Sequence, residues 1–126
     1  MENNDWTFPH KPFDLRERLF LFACTIVRLV QFLHTQGPIA KALSYQILNA
    51  GTSAGANYEE ADGGSSDRDT LAKRRITLRE LMETLFRLRV LRETKILRTE
   101  HDPVLKENDE LVRIVATIIR NSGRKK

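Results

Sequence analysis

The sequence holds a single cysteine, Cys24, so no intramolecular disulfide can form and nothing calls for an oxidising compartment. A cytoplasmic location is the default expectation. Only 6 glycines and 4 prolines in 126 residues leave little material for the many turns of an all-β chain. No apolar run reaches the roughly 20 residues of a membrane span. The most apolar stretch, Leu19 to Leu33, is shorter and is broken by Arg28 and Gln31, so no membrane partner is expected. The opening Met1 to Pro12 is polar and lacks the basic segment followed by an apolar one that a secretion signal needs; it reads as a flexible leader.

Histidine is equally scarce. His10, His34 and His101 fall in the leader and at helix ends, and no Glu-x-x-His pair of the di-iron bundle type occurs. Cys24 lies among Phe20, Phe22, Ile26 and Val27 with no histidine at helical spacing, which suits a core thiol better than a nucleophile. The expectation is a protein without enzymatic activity, metal or cofactor.

What is present is helical. Of the residues, 40% are hydrophobic and 30% charged, the balance of long helices with one buried face, and the length suits one domain. Asp14 with Glu17 reads as a capping box that opens a first helix running to about Thr35. Gly37 breaks it, and Pro38 starts a second helix extending to Asp62, with Ile39, Leu43, Ile47, Ala50, Ala54 and Ala61 at helical spacing. Gly63 and Gly64 end that helix, and Ser65, Ser66 and Asp67 offer caps. A third and longest helix is expected from about Arg68 to Leu97, with Leu71, Leu78, Leu81, Met82, Leu85, Leu88 and Leu91 as its apolar stripe. Pro103 starts a fourth, whose inward face is Leu111, Ile114, Val115, Ile118 and Ile119. Short connections make consecutive helices antiparallel, so the fold class is all-α: an antiparallel, up-down-up-down four-helix bundle over 13–121, with a basic tail at 122–126.

Two features go beyond a plain bundle. The first helix is apolar nearly all round, with Leu19, Phe20, Leu21, Phe22 and Ala23 in succession. Such a helix needs a second burial surface, either self-association or a leader folded back through Trp6 and Phe8. The second feature is charge. Residues 1–64 carry 5 Lys/Arg against 7 Asp/Glu, whereas residues 65–126 carry 16 against 10, so the net +4 resides in the second half. The third helix holds Arg68, Lys73, Arg74, Arg75, Arg79, Arg87, Arg89, Arg92, Lys95 and Arg98, and the tail adds Arg124, Lys125 and Lys126. Arg68, Arg75 and Arg79 share one face, with Arg87, Lys95 and Arg98 on another. Glu59, Glu60 and Asp62 oppose the dipole at the end of the second helix and read as an acidic edge or as partners for these arginines.

Ser53, Asn57 and Glu60 at four- and three-residue spacing, followed by Glu83 in the leucine-rich third helix, resemble the four-helix-bundle proteins encoded in intervening sequences of bacterial large-subunit ribosomal RNA genes. The likeness runs from Phe13 to Arg120. More distantly, the pattern is similar to the accessory bundle proteins of diversity-generating retroelements. Ala61 stands where a glycine is usual, and Gly63 to Asp67 where basic residues are common. The resemblance implies a ring-like homo-oligomer, a pentamer, with basic surfaces suited to RNA or DNA and no enzymatic activity. Ser53, Asn57, Glu60 and Glu83 are expected to form a polar cluster inside the bundle that fixes helix register.

The expected function is an oligomeric accessory protein that binds nucleic acid electrostatically through Arg68, Lys73, Arg74, Arg75, Arg79, Arg87, Lys95, Arg98 and the tail. The alternative is an interaction scaffold with a protein partner and no nucleic acid. Phe86 is the only aromatic residue after Tyr58, so phosphate contacts are expected to outweigh base stacking.

Overall fold

The computed structural model describes residues 6–63 and 66–122. Four helices follow one another: α1 (Leu15–Leu33), α2 (Pro38–Asp62), α3 (Asp67–Glu93) and α4 (Asp102–Ser122), the last preceded by a single 3₁₀ turn at Thr99–His101. Each contacts its chain neighbours, and α4 returns to α1, closing a four-helix bundle.

The bundle is organised around α2. Ala40, Ser44, Ile47, Gly51, Ala54, Tyr58 and Ala61 are buried at alternating three- and four-residue steps, and most of them are small. That seam lets α1 and α3 approach closely from either side. On α1 the buried set is Leu19, Phe22, Ile26, Leu29, Val30 and Leu33; on α3 it is Thr77, Leu81, Thr84, Leu88 and Leu91. The bulk missing from α2 is supplied by its neighbours.

Threonines fix the register of α2 against α3. Thr77 Oγ1 donates to the Ala54 carbonyl at 3.0 Å, and Thr70 Oγ1 donates to the Ala61 carbonyl at 3.1 Å. Seven residues forward on α2 thus correspond to seven back on α3, as two antiparallel helices require. Asn108 performs the same service for α4, its Nδ2 donating to the Leu81 carbonyl at 3.0 Å. The Thr77 and Asn108 bonds satisfy buried polar groups that would otherwise destabilise the core.

The helix ends follow local chemistry. Asp14 caps α1 by accepting from the Arg16 amide, and Ser66 caps α3 by accepting from the Asp69 amide. The expected cap Ser65 and the expected break Gly64 lie outside the described residues. Pro38 opens α2 after Gly37, whose φ of 106° lies in the left-handed region open to glycine. α3 stops at Glu93, short of the expected Leu97. Lys95 adopts φ 68°, the Ile96 and Leu97 amides both turn back to the Leu91 carbonyl at 3.0 Å, and Leu97 drops into the core. This is a Schellman-type stop built without glycine. On α4 the fully buried residues are Val104, Glu107, Asn108, Leu111 and Val115, so its inward face begins about two turns earlier than expected, with Ile114, Ile118 and Ile119 only half-buried.

Residues 6–12, expected to be a loose leader, pack against the bundle. The Trp6 ring lies 6.3 Å from Phe32 and 5.1 Å from His101, and Phe8 joins the core margin. His101 is fully buried; its Nδ1 accepts from the Arg98 amide at 2.9 Å, and its Nε2 has no hydrogen-bond partner among the described residues, the nearest carboxylate oxygen being that of Glu100 at 3.7 Å. The seam between α1 and α4 is closed by charge. Arg18 grips Glu107 with two bonds, Nη2 to Oε1 at 2.7 Å and Nε to Oε2 at 3.0 Å, and reaches Glu110 at 3.0 Å, where Lys11 of the leader also lands. Glu107 is 2% exposed.

Three outcomes follow from this packing. A Cβ on Gly51 would sit 2.9 Å from Ile26 Cγ2, whereas one on Gly55 would meet Leu19 at an ordinary 3.4 Å. Gly51→Ala should therefore lower stability in urea melts by about 1 to 3 kcal/mol through overpacking, while Gly55→Ala should raise it by up to about 1 kcal/mol from helix propensity. Glu107→Ala should cost about 1 to 3 kcal/mol, because Arg18 then loses two of its three carboxylate bonds and keeps Glu110 alone, and a joint Arg18→Met, Glu107→Leu variant should recover most of that loss, because the two residues are then replaced as a pair. Burial holds His101 below the ordinary imidazole range. Its folded-state pKa is depressed, so the stability it contributes is full above about pH 7 and falls as pH drops through about 6.5 towards the folded value. Thermal melts between pH 7.5 and 5 should show that loss, and His101→Gln should flatten it.

Candidate nucleic-acid interface

The cations of α3 divide into two groups. Lys73 is tied to Glu60 at 2.6 Å, Arg87 to the Gln46 amide oxygen at 3.0 Å and to Glu83 at 3.8 Å, and Arg92 to Asp102 at 2.7 Å. Arg74 is half-buried, its guanidinium 5.5 Å from the centre of the Tyr58 ring. These four hold α3 to α2 or to the α4 start, and only their outer edges face solvent. Arg68, Arg75, Arg79 and Arg89 are exposed and have no carboxylate partner among the described residues.

Helical geometry explains the division. The buried residues of α3 define an inward direction, and Arg68, Arg75 and Arg79 point almost directly away from it at about 100° per residue. Lys73, Arg74 and Arg87 stand beside the seams, where carboxylate, amide or ring partners from α2 reach them. Lys95 and Arg98, expected to share a face with Arg87, do not, because α3 has ended before them. Both are exposed in the connection to α4. Arg124, Lys125 and Lys126 lie outside the described residues.

The expected polar cluster does not assemble. The Asn57 side chain donates to the Ser53 carbonyl within its own helix at 3.0 Å, and both residues are half-buried. Glu60 and Glu83 are 60% and 47% exposed, serving as surface partners for Lys73 and Arg87. On their helices they stand well over a quarter turn from the buried seam, and a carboxylate turned inward there would have needed a desolvated cation. Among the described residues, the polar groups inside the bundle are instead Thr25, Ser44, Thr77, Thr84, Asn108, His101 and the Arg18–Glu107 pair. A sequence signal existed for the threonines, which continue the seven-residue spacing of the leucines on α3. None existed for Arg18 and Glu107, 89 residues apart.

The apolar surplus of α1 is partly absorbed. Phe32 is covered by Trp6, but Phe20 and Val27 remain 56% and 41% exposed on a common face. Beside Phe20 a groove of about 240 Å³ runs between α1 and α2 over Ala23, Gly55 and Ala56, with Arg16 and Glu59 at its edge. On α3, Met82 and Phe86 are exposed next to Arg75 and Arg79, and with Leu78 they floor an open basin of about 480 Å³.

Cys24 is a half-buried free thiol. Among the described residues no three of His, Cys, Asp and Glu gather to hold a metal ion, and no helix is long and apolar enough to cross a membrane.

No family model matches the sequence, and no curated protein matches it. Among solved structures, the chain is similar to the crystal structure of a protein of unknown function from the S23 ribosomal protein family of Bacteroides thetaiotaomicron. The two share 30% identity with a TM-score of 0.77, over 84% of this chain and 98% of the other. Agreement of backbone and sequence at that level, across nearly the whole of the relative, means that the chain belongs to the S23 ribosomal protein family.

Proposed function

We propose that this protein is a non-enzymatic, oligomeric accessory factor that holds nucleic acid electrostatically on the outer face of α3. We also propose that it is one of the bundle proteins encoded in intervening sequences of ribosomal RNA genes. The observation that carries the reading is the row of Arg68, Arg75 and Arg79, exposed and without carboxylate partners among the described residues, on a helix whose other cations are mostly tied down. Exposed guanidiniums on one face offer phosphates charge-assisted bonds and release counterions from the polyanion. The ribosomal name of the related family points the same way. Self-association has its support in the exposed Phe20 and Val27 of α1, apolar side chains that the chain's own core leaves uncovered.

The test is a titration of nucleic-acid-free protein, its mass first measured by light scattering, with RNA and DNA at two salt concentrations. Binding should weaken steeply with salt, and a joint Arg75→Gln, Arg79→Gln variant should make the log-log slope shallower by about 1.4 for single strands. Different sequences should be weakened alike. Absence of binding at low salt overturns the nucleic-acid reading, and a monomer at micromolar concentration overturns the oligomeric one.

A further inference from the structure

We propose that the basin on α3 is a binding site for unpaired nucleotides, in which a base stacks on Phe86 while phosphates further along the same strand are held by Arg79 and Arg75. The proposal rests on the nucleic-acid reading above and specifies the ligand. Phe86 lies opposite the buried seam of α3, about 180° from its centre, with Arg75 and Arg79 each within about 20° of it. It is 63% exposed, and Met82 beside it is 54% exposed. Neither side chain contributes to the core from that position. Arg79 is two turns, about 10 Å, from Phe86 along the axis, and Met82 stands between them. A short single strand lying along the helix therefore meets cations and then an aromatic face in succession, the arrangement of a stacking platform beside an electrostatic groove.

Charge decides the occupant. The basin is lined by Arg75, Arg79 and Arg87 against one carboxylate, Glu83, and that carboxylate is already 3.8 Å from Arg87. The remaining guanidiniums call for an anion, and phosphates supply it. The apolar floor is also interrupted by those arginines, leaving no continuous face of the size a stable dimer needs. A duplex satisfies the arginines equally well, but its bases are stacked inside and present no free face to Phe86. The two ligands are thus distinguished by one side chain.

The experiment compares fluorescence anisotropy of short oligouridylate, a matched RNA duplex and an abasic ribose-phosphate oligomer with the wild type, Phe86→Leu and Phe86→Tyr. Leucine stays apolar and removes the π face; tyrosine keeps the aromatic ring. Phe86→Leu should weaken oligouridylate about tenfold, leave the duplex and the abasic oligomer unchanged, and leave the salt slope unchanged, since no charge is altered. Phe86→Tyr should bind as the wild type does. Oligouridylate binding that is salt-dependent yet indifferent to Phe86→Leu overturns this site while leaving the electrostatic reading standing, and loss of wild-type binding to every probe at low salt overturns both. A parallel loss of duplex binding, or a fall in the oligomer mass of Phe86→Leu, overturns the stacking role and assigns Phe86 to a protein contact.

Discussion

The close approach of α2 to its two neighbours sets the rest of the structure. A helix whose buried seam is mostly Ala, Ser and Gly contributes little hydrophobic area of its own, so α1 and α3 must supply the bulk and must come near enough to bury it. Nearness has a second effect. Side-chain hydroxyls on α3 can then reach main-chain carbonyls of α2, which places Thr77 and Thr70 on Ala54 and Ala61 and removes any freedom of register. The order of the outer surface follows. Once Thr77, Leu81 and Leu88 are turned inward, Arg75, Arg79 and Phe86 have nowhere to point but outward.

How much of this was legible in the sequence depends on whether a signal was local. The limits of α2 are those set by Pro38 and by Gly63, residues whose backbone preferences act on their own. The end of α3 has no such local signal, because its stop carries no glycine or proline. Lys95 takes up a left-handed conformation that its own side chain disfavours, held there by two amides folding back on Leu91 and by the burial of Leu97. That is a tertiary gain overriding a local preference, and residue type does not announce it.

The candidate site shows the same boundary. That Arg68, Arg75 and Arg79 share a face is a matter of spacing along one helix. That Lys73 and Arg87 are occupied could not be read, since Glu60 and Gln46 lie on another helix. The resemblance implies that Glu60 and Glu83 lie inside the bundle. The structure leaves them outside, while Glu107 enters because Arg18 arrives with a matching pair of donors. Burial of a carboxylate is decided by its partner, and partners distant in sequence are invisible to a reading by segments.

Trp6 gives the molecule a built-in optical reporter. It is the only tryptophan in the chain, so ultraviolet-excited indole emission comes from one place, the point where the leader rests on Phe32 and His101. An indole lodged between an aromatic ring and a buried imidazole has a spectrum unlike that of an indole in water. Emission wavelength therefore reads whether the leader is seated, separately from far-ultraviolet dichroism, which reads the helices. One sample, followed by both signals, resolves undocking of the leader from unfolding of the bundle without any label being attached.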